Sequence, residues 1–129
     1  MGRKYRVLII DDDPSMLMLI RVLLEHEGFE LFQASDGESG LTLATDERPD
    51  CILLDVAMPR RSGHDVYKDL QRSSAAAIPI IVFSAILNRT DEINWRSLPH
   101  VVDAIRKPFD IDQLVARITE ICAQTVTSD

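Results

Sequence analysis

Two apolar runs of this chain end in acidic residues. Residues 7–10 (Val-Leu-Ile-Ile) lead directly into Asp11 and Asp12, and residues 51–54 (Cys-Ile-Leu-Leu) lead directly into Asp55. Runs of this kind are typical of strands buried on both faces of a parallel sheet. Open α/β folds bind their ligands just beyond the carboxyl ends of such strands. The sequence therefore predicts one site that contains three carboxylates, provided that the two strands are neighbours.

Close carboxylates repel one another unless a cation lies among them, and all-oxygen ligands beside a phosphate suit Mg²⁺. Two further polar residues lie at the ends of predicted strands, because Ser84 ends the run at residues 80–84 and Lys107 follows the run at residues 101–105, with Arg106 between. A carboxylate, a metal, a hydroxyl and an ammonium group together favour phosphoryl transfer, with Asp55 as the nucleophile. An aspartyl phosphate is a reactive mixed anhydride, which suits a transient signal better than a structural role.

Apolar runs alternate with amphipathic stretches along the whole chain, which indicates a repeated βα unit and a mostly parallel sheet. Pro14 is well placed to begin the first helix and Gly28 to end it. We expect strands near residues 5–10, 29–34, 50–54, 80–84 and 101–105, and further helices near residues 38–46 and 64–72. The last helix shows a clear apolar stripe, formed by Ile111, Leu114, Val115, Ile118, Ile121 and Cys122. Residues 88–97 contain few apolar side chains, so we expect that segment to be short or loosely packed.

The pattern predicts a doubly wound, five-stranded α/β domain with strand order 2-1-3-4-5. A chain of 129 residues with 46% hydrophobic content fits one compact domain, which we place at residues 4–123, followed by a frayed tail at residues 124–129. The net charge of −7 argues against a nucleic-acid partner. The chain shows neither a signal peptide nor an apolar stretch long enough for a membrane, so we expect a cytoplasmic protein without a membrane partner. Cys51 and Cys122 are expected to be buried as small hydrophobic residues.

Four short motifs, taken in order, resemble the response-regulator receiver domain of two-component signalling, and in particular the chemotaxis-regulator type. The resemblance covers nearly the whole chain and implies a flavodoxin-like three-layer sandwich. The motifs are Asp11-Asp12, then Asp55 with Met58-Pro59 and Gly63, then Ser84-Ala85, and finally Lys107-Pro108-Phe109.

The resemblance implies a role for each of these residues. Asp55 would take a phosphoryl group from a phosphohistidine on a histidine kinase or a histidine phosphotransfer protein. Asp12, Asp55 and the backbone carbonyl of Ala57 would bind Mg²⁺, while Asp11 would hold the metal mainly through water. Ser84 and Lys107 would contact the phosphoryl oxygens. Such a domain catalyses its own phosphorylation and dephosphorylation but is not a turnover enzyme.

The resemblance names no downstream target. With no output domain in these residues, the protein would signal by contact with another protein or act in a phosphorelay. The chain could equally be one piece of a larger regulator or hybrid kinase.

The sequence departs from the receiver pattern at several positions, among them His100-Val101, where receivers usually carry Gly-Ala. Receivers usually carry an aromatic residue where this chain has Ala104, so we expect phosphorylation to be read through residues 84–98, which include Trp95. The alternative is that Trp95 only fills space against the last helix. Separately, His64 is interpreted as a surface or packing residue. Ala57 and Ile86 are apolar where other receivers often carry polar groups, which predicts slow loss of the phosphoryl group. A half-life of seconds would contradict that expectation.

Three other functions are compatible with parts of the pattern. The run from Asp11 to Ser15 resembles the opening of haloacid-dehalogenase-type phosphatases, in which Asp11 would be the nucleophile and Asp13 the general acid. That interpretation leaves Asp55 unexplained, and Asp13 directly before Pro14 is also a good helix cap. A flavin-binding protein would need a Ser/Thr/Gly-rich phosphate loop where this chain has three acids. A receiver scaffold that docks partners without being phosphorylated is the third alternative.

Overall fold

Parallel strands form the centre of the molecule. The computed structural model describes residues 4–56, 63–84, 94–106 and 109–127. Within these ranges a five-stranded, all-parallel sheet has the order β2-β1-β3-β4-β5. The strands are β1 (Arg6–Ile10), β2 (Glu30–Ala34), β3 (Cys51–Asp55), β4 (Ile80–Ser84) and β5 (Val101–Arg106). The helices are α1 (Pro14–His26), α2 (Gly37–Glu47), α3 (Gly63–Gln71) and α4 (Ile111–Thr127), with a 3-10 helix at Trp95–Ser97.

The two faces of the sheet bury separate cores, because successive side chains of a strand point to opposite faces. Leu8 and Ile10 of β1 belong to the core beneath α2 and α3, whereas Val7 and Ile9 belong to the core beneath α1 and α4. All four of these side chains are fully buried. The α/β fold class, the strand order and the three-layer sandwich are therefore confirmed.

Helix α1 begins and ends where the sequence indicated. Pro14 occupies its first turn, and the side chain of Asp13 caps it. Gly28, two residues beyond its end, has a φ of 92°, a left-handed conformation that glycine adopts without the steric cost of a Cβ atom. The turn at Gly28 then lets the chain enter β2, so that Glu30 pairs with Arg6.

One expectation needs correction, and a second is met in part. Helix α4 continues to Thr127, so the segment that we expected to be a frayed tail from Gln124 is helical through residue 127. The segment 88–97 was expected to be short or loosely packed: the helix in its described part has only three residues, but Trp95 within it is well packed, at 6% exposed. Residues 88–93 lie outside the described ranges. Among the described residues, no helix is both long enough and apolar enough to cross a membrane.

Cys51 of β3 and Cys122 of α4 are both free and buried, as expected. A hydrogen bond with Cys122, together with burial, raises the pKa of the Cys51 thiol well above its ordinary value. Because the thiolate is the reactive form, we expect Cys51 to resist alkylation by iodoacetamide in the native protein at neutral pH. Intact mass should show two additions only after unfolding; rapid modification of the folded protein would contradict this prediction.

Candidate functional site

The register of the two central strands brings the predicted acids together. Ile10 of β1 pairs with Leu54 of β3 in parallel register. The next residue on each strand is therefore an aspartate, Asp11 on one side and Asp55 on the other. Both chains reach the same edge of the sheet at this point, where strand order 2-1-3 changes direction and α/β folds place their ligands.

The three carboxylates form one cluster. Each of Asp11, Asp12 and Asp55 offers a carboxylate oxygen, and these oxygens lie within 4.8 Å of one another. Asp11 is fully buried and Asp55 is 4% exposed, whereas Asp12 lies on the surface. The backbone N–H of Asp13 donates to Oδ1 of Asp11 at 3.0 Å, which fixes the orientation of that carboxylate. Two buried carboxylates, of Asp11 and Asp55, and the exposed carboxylate of Asp12 form a set of oxygen ligands that fits a hard divalent cation.

Asp13 serves α1. Its Oδ1 accepts the backbone N–H of Ser15 at 3.0 Å, and it does not belong to the carboxylate cluster. We expect Asp13→Ala to lower the free energy of unfolding by about 1 kcal/mol, whereas Asp13→Asn keeps the cap and should cost much less. Urea unfolding would measure both variants. Loss of the expected phosphorylation at Asp55 in Asp13→Asn would contradict a purely structural role.

The structure locates the remaining predicted site residues only in part. Ser84 is the last residue of β4, one position beyond Phe83, which pairs with Asp55. The backbone of Ser84 therefore reaches the same edge as the carboxylates. Lys107 and the backbone carbonyl of Ala57 lie outside the described residues, as do Ile86 and the loop that contains Pro59.

Gly63, the first residue of α3, packs directly against the end of β3. Its N–H donates to the carbonyl oxygen of Val56 at 3.4 Å. A Cβ atom at position 63 would come within 2.3 Å of the Val56 Cα, far inside any normal contact. Val56 is the neighbour of Asp55, so the absent side chain of Gly63 lets α3 pack closely against the end of β3.

Sequence reasoning missed a cluster of three rings beside this helix. Trp95 does not pack against α4, as the space-filling alternative supposed, but against α3 on the opposite face of the sheet. Its ring centroid lies 5.9 Å from that of His64 and 6.1 Å from that of Tyr67. The only signal in the sequence was the i, i+3 spacing of His64 and Tyr67, which places them on one face of α3.

Comparisons with known proteins agree with this arrangement. A family model for the response regulator receiver domain matches residues 7–119. Protein PilH of Pseudomonas aeruginosa is 31% identical over 119 residues, which cover 92% of this chain and 98% of PilH. The DNA-binding dual master transcriptional regulator RpaA of Synechocystis is 36% identical over 121 residues, which cover 93% of this chain and 50% of RpaA. The chain thus spans about half the length of RpaA and of several other curated relatives.

A solved structure shows the same fold. The receiver domain of the sensor histidine kinase PA1611 of Pseudomonas aeruginosa superimposes with a TM-score of 0.82 at 22% identity, covering 94% of this chain and 99% of that one. That crystal structure has a magnesium ion coordinated in its active-site cleft. Fold, family model and relatives agree, and the chain belongs to the response regulator receiver domain family of two-component signalling.

Proposed function

We propose that Asp55 is the residue that accepts the phosphoryl group. The observation that carries this proposal is the convergence of Asp11, Asp12 and Asp55 within 4.8 Å at the carboxyl edge of the sheet. Asp55 ends the central strand of the sheet and is 4% exposed, so its position is fixed by β1 on one side and β4 on the other. A nucleophile held this rigidly needs little reorganisation before it attacks.

In the proposed reaction, a carboxylate oxygen of Asp55 bonds to phosphorus while the phosphorus–nitrogen bond of a phosphohistidine breaks. The histidine ring of the donor keeps the electron pair of that bond. Asp12 and Asp55, together with the carbonyl of Ala57, would hold Mg²⁺, and Asp11 would hold it through water. When bound, Mg²⁺ supplies positive charge that screens the acids from one another and from the phosphoryl oxygens. Ser84 and Lys107 would donate to the same oxygens.

The structure favours this chemistry over that of a haloacid-dehalogenase-type phosphatase. That reaction needs Asp13 as a general acid beside Asp11, but Asp13 caps α1 and Asp55 takes its place in the carboxylate cluster.

The partners follow from the family. We infer that the donor is a histidine kinase or a histidine phosphotransfer protein, that the domain does not turn over other substrates, and that it acts in the cytoplasm on an unnamed protein target. RpaA is described as DNA-binding and is about twice as long as this chain. Our expectation that these residues do not bind nucleic acid therefore remains a prediction.

The test is incubation with acetyl phosphate, with and without Mg²⁺, followed by intact-mass measurement. We expect one added phosphate per chain with Mg²⁺ and none in the presence of a chelator. An unchanged mass under all conditions, or an addition that is indifferent to the chelator, would reject the proposal.

A further inference from the structure

The ring cluster of His64, Tyr67 and Trp95 joins α3 to the 3-10 helix that precedes the edge strand β5. It begins one residue after Gly63, whose backbone bonds to Val56 beside Asp55. Because a Cβ at position 63 would approach the Val56 Cα to 2.3 Å, the two backbones are already in close contact. A shift of Val56 therefore displaces the first turn of α3, which carries His64.

The three rings contact one another in pairs. The His64 ring stacks on Tyr67 with 6.3 Å between centroids and 16° between planes, and it meets Trp95 edge-on at 5.9 Å and 75°. Tyr67 and Trp95 are perpendicular, with centroids 6.1 Å apart. All three separations fall within the range of about 4.5–7 Å in which aromatic pairs attract each other. Tyr67 is 5% exposed and Trp95 6%, so one ring cannot move far without the others.

Two contacts fasten the residues that follow Trp95. The Tyr67 hydroxyl donates to the carbonyl oxygen of Pro99, just beyond the 3-10 helix, at 2.8 Å. Arg96, in the 3-10 helix itself, donates to the carbonyl of Ala104 and lies 3.3 Å from Oδ1 of Asp103, both in β5. Movement of Trp95 therefore shifts the neighbouring guanidinium group against the exposed edge of β5.

We propose that these rings carry the phosphorylation signal from the Asp55 strand through α3 to Arg96 and β5. The proposal rests on the proposed function, because it needs a phosphoryl group on Asp55 as the input. The proposal needs two states of the domain. In one, Arg96 is bonded to Asp103 and to the carbonyl of Ala104, as in this structure, and in the other these contacts are broken. The route does not need an aromatic side chain at position 104, where this chain has alanine, since the rings that move lie on α3 and on the 3-10 helix.

The experiment uses two responses to acetyl phosphate and Mg²⁺. The emission of Trp95, the sole tryptophan, reports on the ring cluster, and hydrogen exchange of peptides from β5 reports on the sheet edge. Intact mass measures the phosphate added to each variant, so failure of the proposed function appears separately, as an unchanged mass in the wild type. In the wild type we expect phosphorylation to change both the emission and the exchange.

Two variants test separate steps of the proposed route, and a third is a control. His64→Ala should take up phosphate as the wild type does but lose most of the emission change and of the exchange change. His26→Ala, the same substitution at an exposed position on α1, should keep both responses. Arg96→Ala should keep the emission change and lose the exchange change in β5. Full responses in His64→Ala, or a phosphorylated wild type with constant emission, would overturn the proposal.

Discussion

Asp55→Asn is expected to abolish the addition of phosphate from acetyl phosphate completely. The substitution keeps the size of the side chain and replaces the attacking carboxylate oxygen with an amide, which is too weak a nucleophile to form the acyl phosphate. Intact mass after incubation with acetyl phosphate and Mg²⁺ measures the outcome. Circular dichroism should show an unchanged fold, because the variant also removes one of three mutually repelling charges.

Two control variants sharpen that result. Asp46→Asn makes the same chemical change at an exposed position of α2 and should be phosphorylated like the wild type. Asp11→Asn should weaken the response by reducing Mg²⁺ binding, so that a higher metal concentration restores part of it. Phosphate addition that persists in Asp55→Asn but disappears in Asp11→Asn irrespective of metal would instead favour the phosphatase-type nucleophile.

Gly63→Ala is expected to produce the second-largest effect, by destabilising the domain and misplacing the nucleophile together. The new Cβ would meet backbone, at 2.3 Å from the Val56 Cα, so relief requires α3 and β3 to separate. We expect a loss of about 1–3 kcal/mol in the free energy of unfolding, the usual cost of overpacking. Phosphorylation by acetyl phosphate should slow by about 10- to 100-fold, since small displacements of a reacting group are that costly.

Gly40→Ala is the matched control. The three atoms nearest to its Cβ would all belong to the side chain of Ile10, with Cδ1 the nearest at 2.5 Å. Alanine also gains about 0.5–1 kcal/mol over glycine inside a helix. Its net loss of stability should therefore be the smaller one in urea unfolding. Adding Val56→Ala to Gly63→Ala should restore little, because the closest atom is the Cα. Equal stability of Gly63→Ala and the wild type would show that α3 does not hold the end of β3 in the way described.

Strands β1, β3 and β4 can be predicted from the sequence because each contains a short apolar run with a polar residue at its end or directly after it. The predicted segment at residues 50–54 and the observed Cys51–Asp55 differ by one position at each end. The carboxylate cluster is predictable for the same reason: once β1 and β3 are neighbours, parallel register brings Asp11 and Asp55 together. The roles of Ser84, Lys107 and Ala57 remain predictions.

The connection between β4 and β5 could not be predicted in this way. Trp95 is buried by His64 and Tyr67, which are about thirty positions earlier in the chain, and no local periodicity encodes a contact of that range. The ion pairs of Asp103 with Arg96 and with Arg117 span only 7 and 14 residues, but they join the 3-10 helix, β5 and α4, so the periodicity of no single element encodes them. Local patterns thus gave the elements and the acid cluster, while the contacts that link the cluster to the rest of the molecule needed coordinates.

Arg96 and Arg117, beside β5, also affect whether two molecules of this protein can associate through their sheet edges. Among the residues that the structure describes, β5 is the last strand of the sheet, and an edge strand invites pairing with the edge of another molecule. Here Arg117 donates to the carbonyl of Val102, Arg96 donates to that of Ala104, and Asp103 accepts the Ala104 N–H. These side chains already hydrogen-bond the β5 carbonyl and N–H groups that a strand from another molecule would have to pair with. They also place charge along that edge. We therefore expect these contacts to disfavour intermolecular β-sheet pairing at the β5 edge, and with it aggregation.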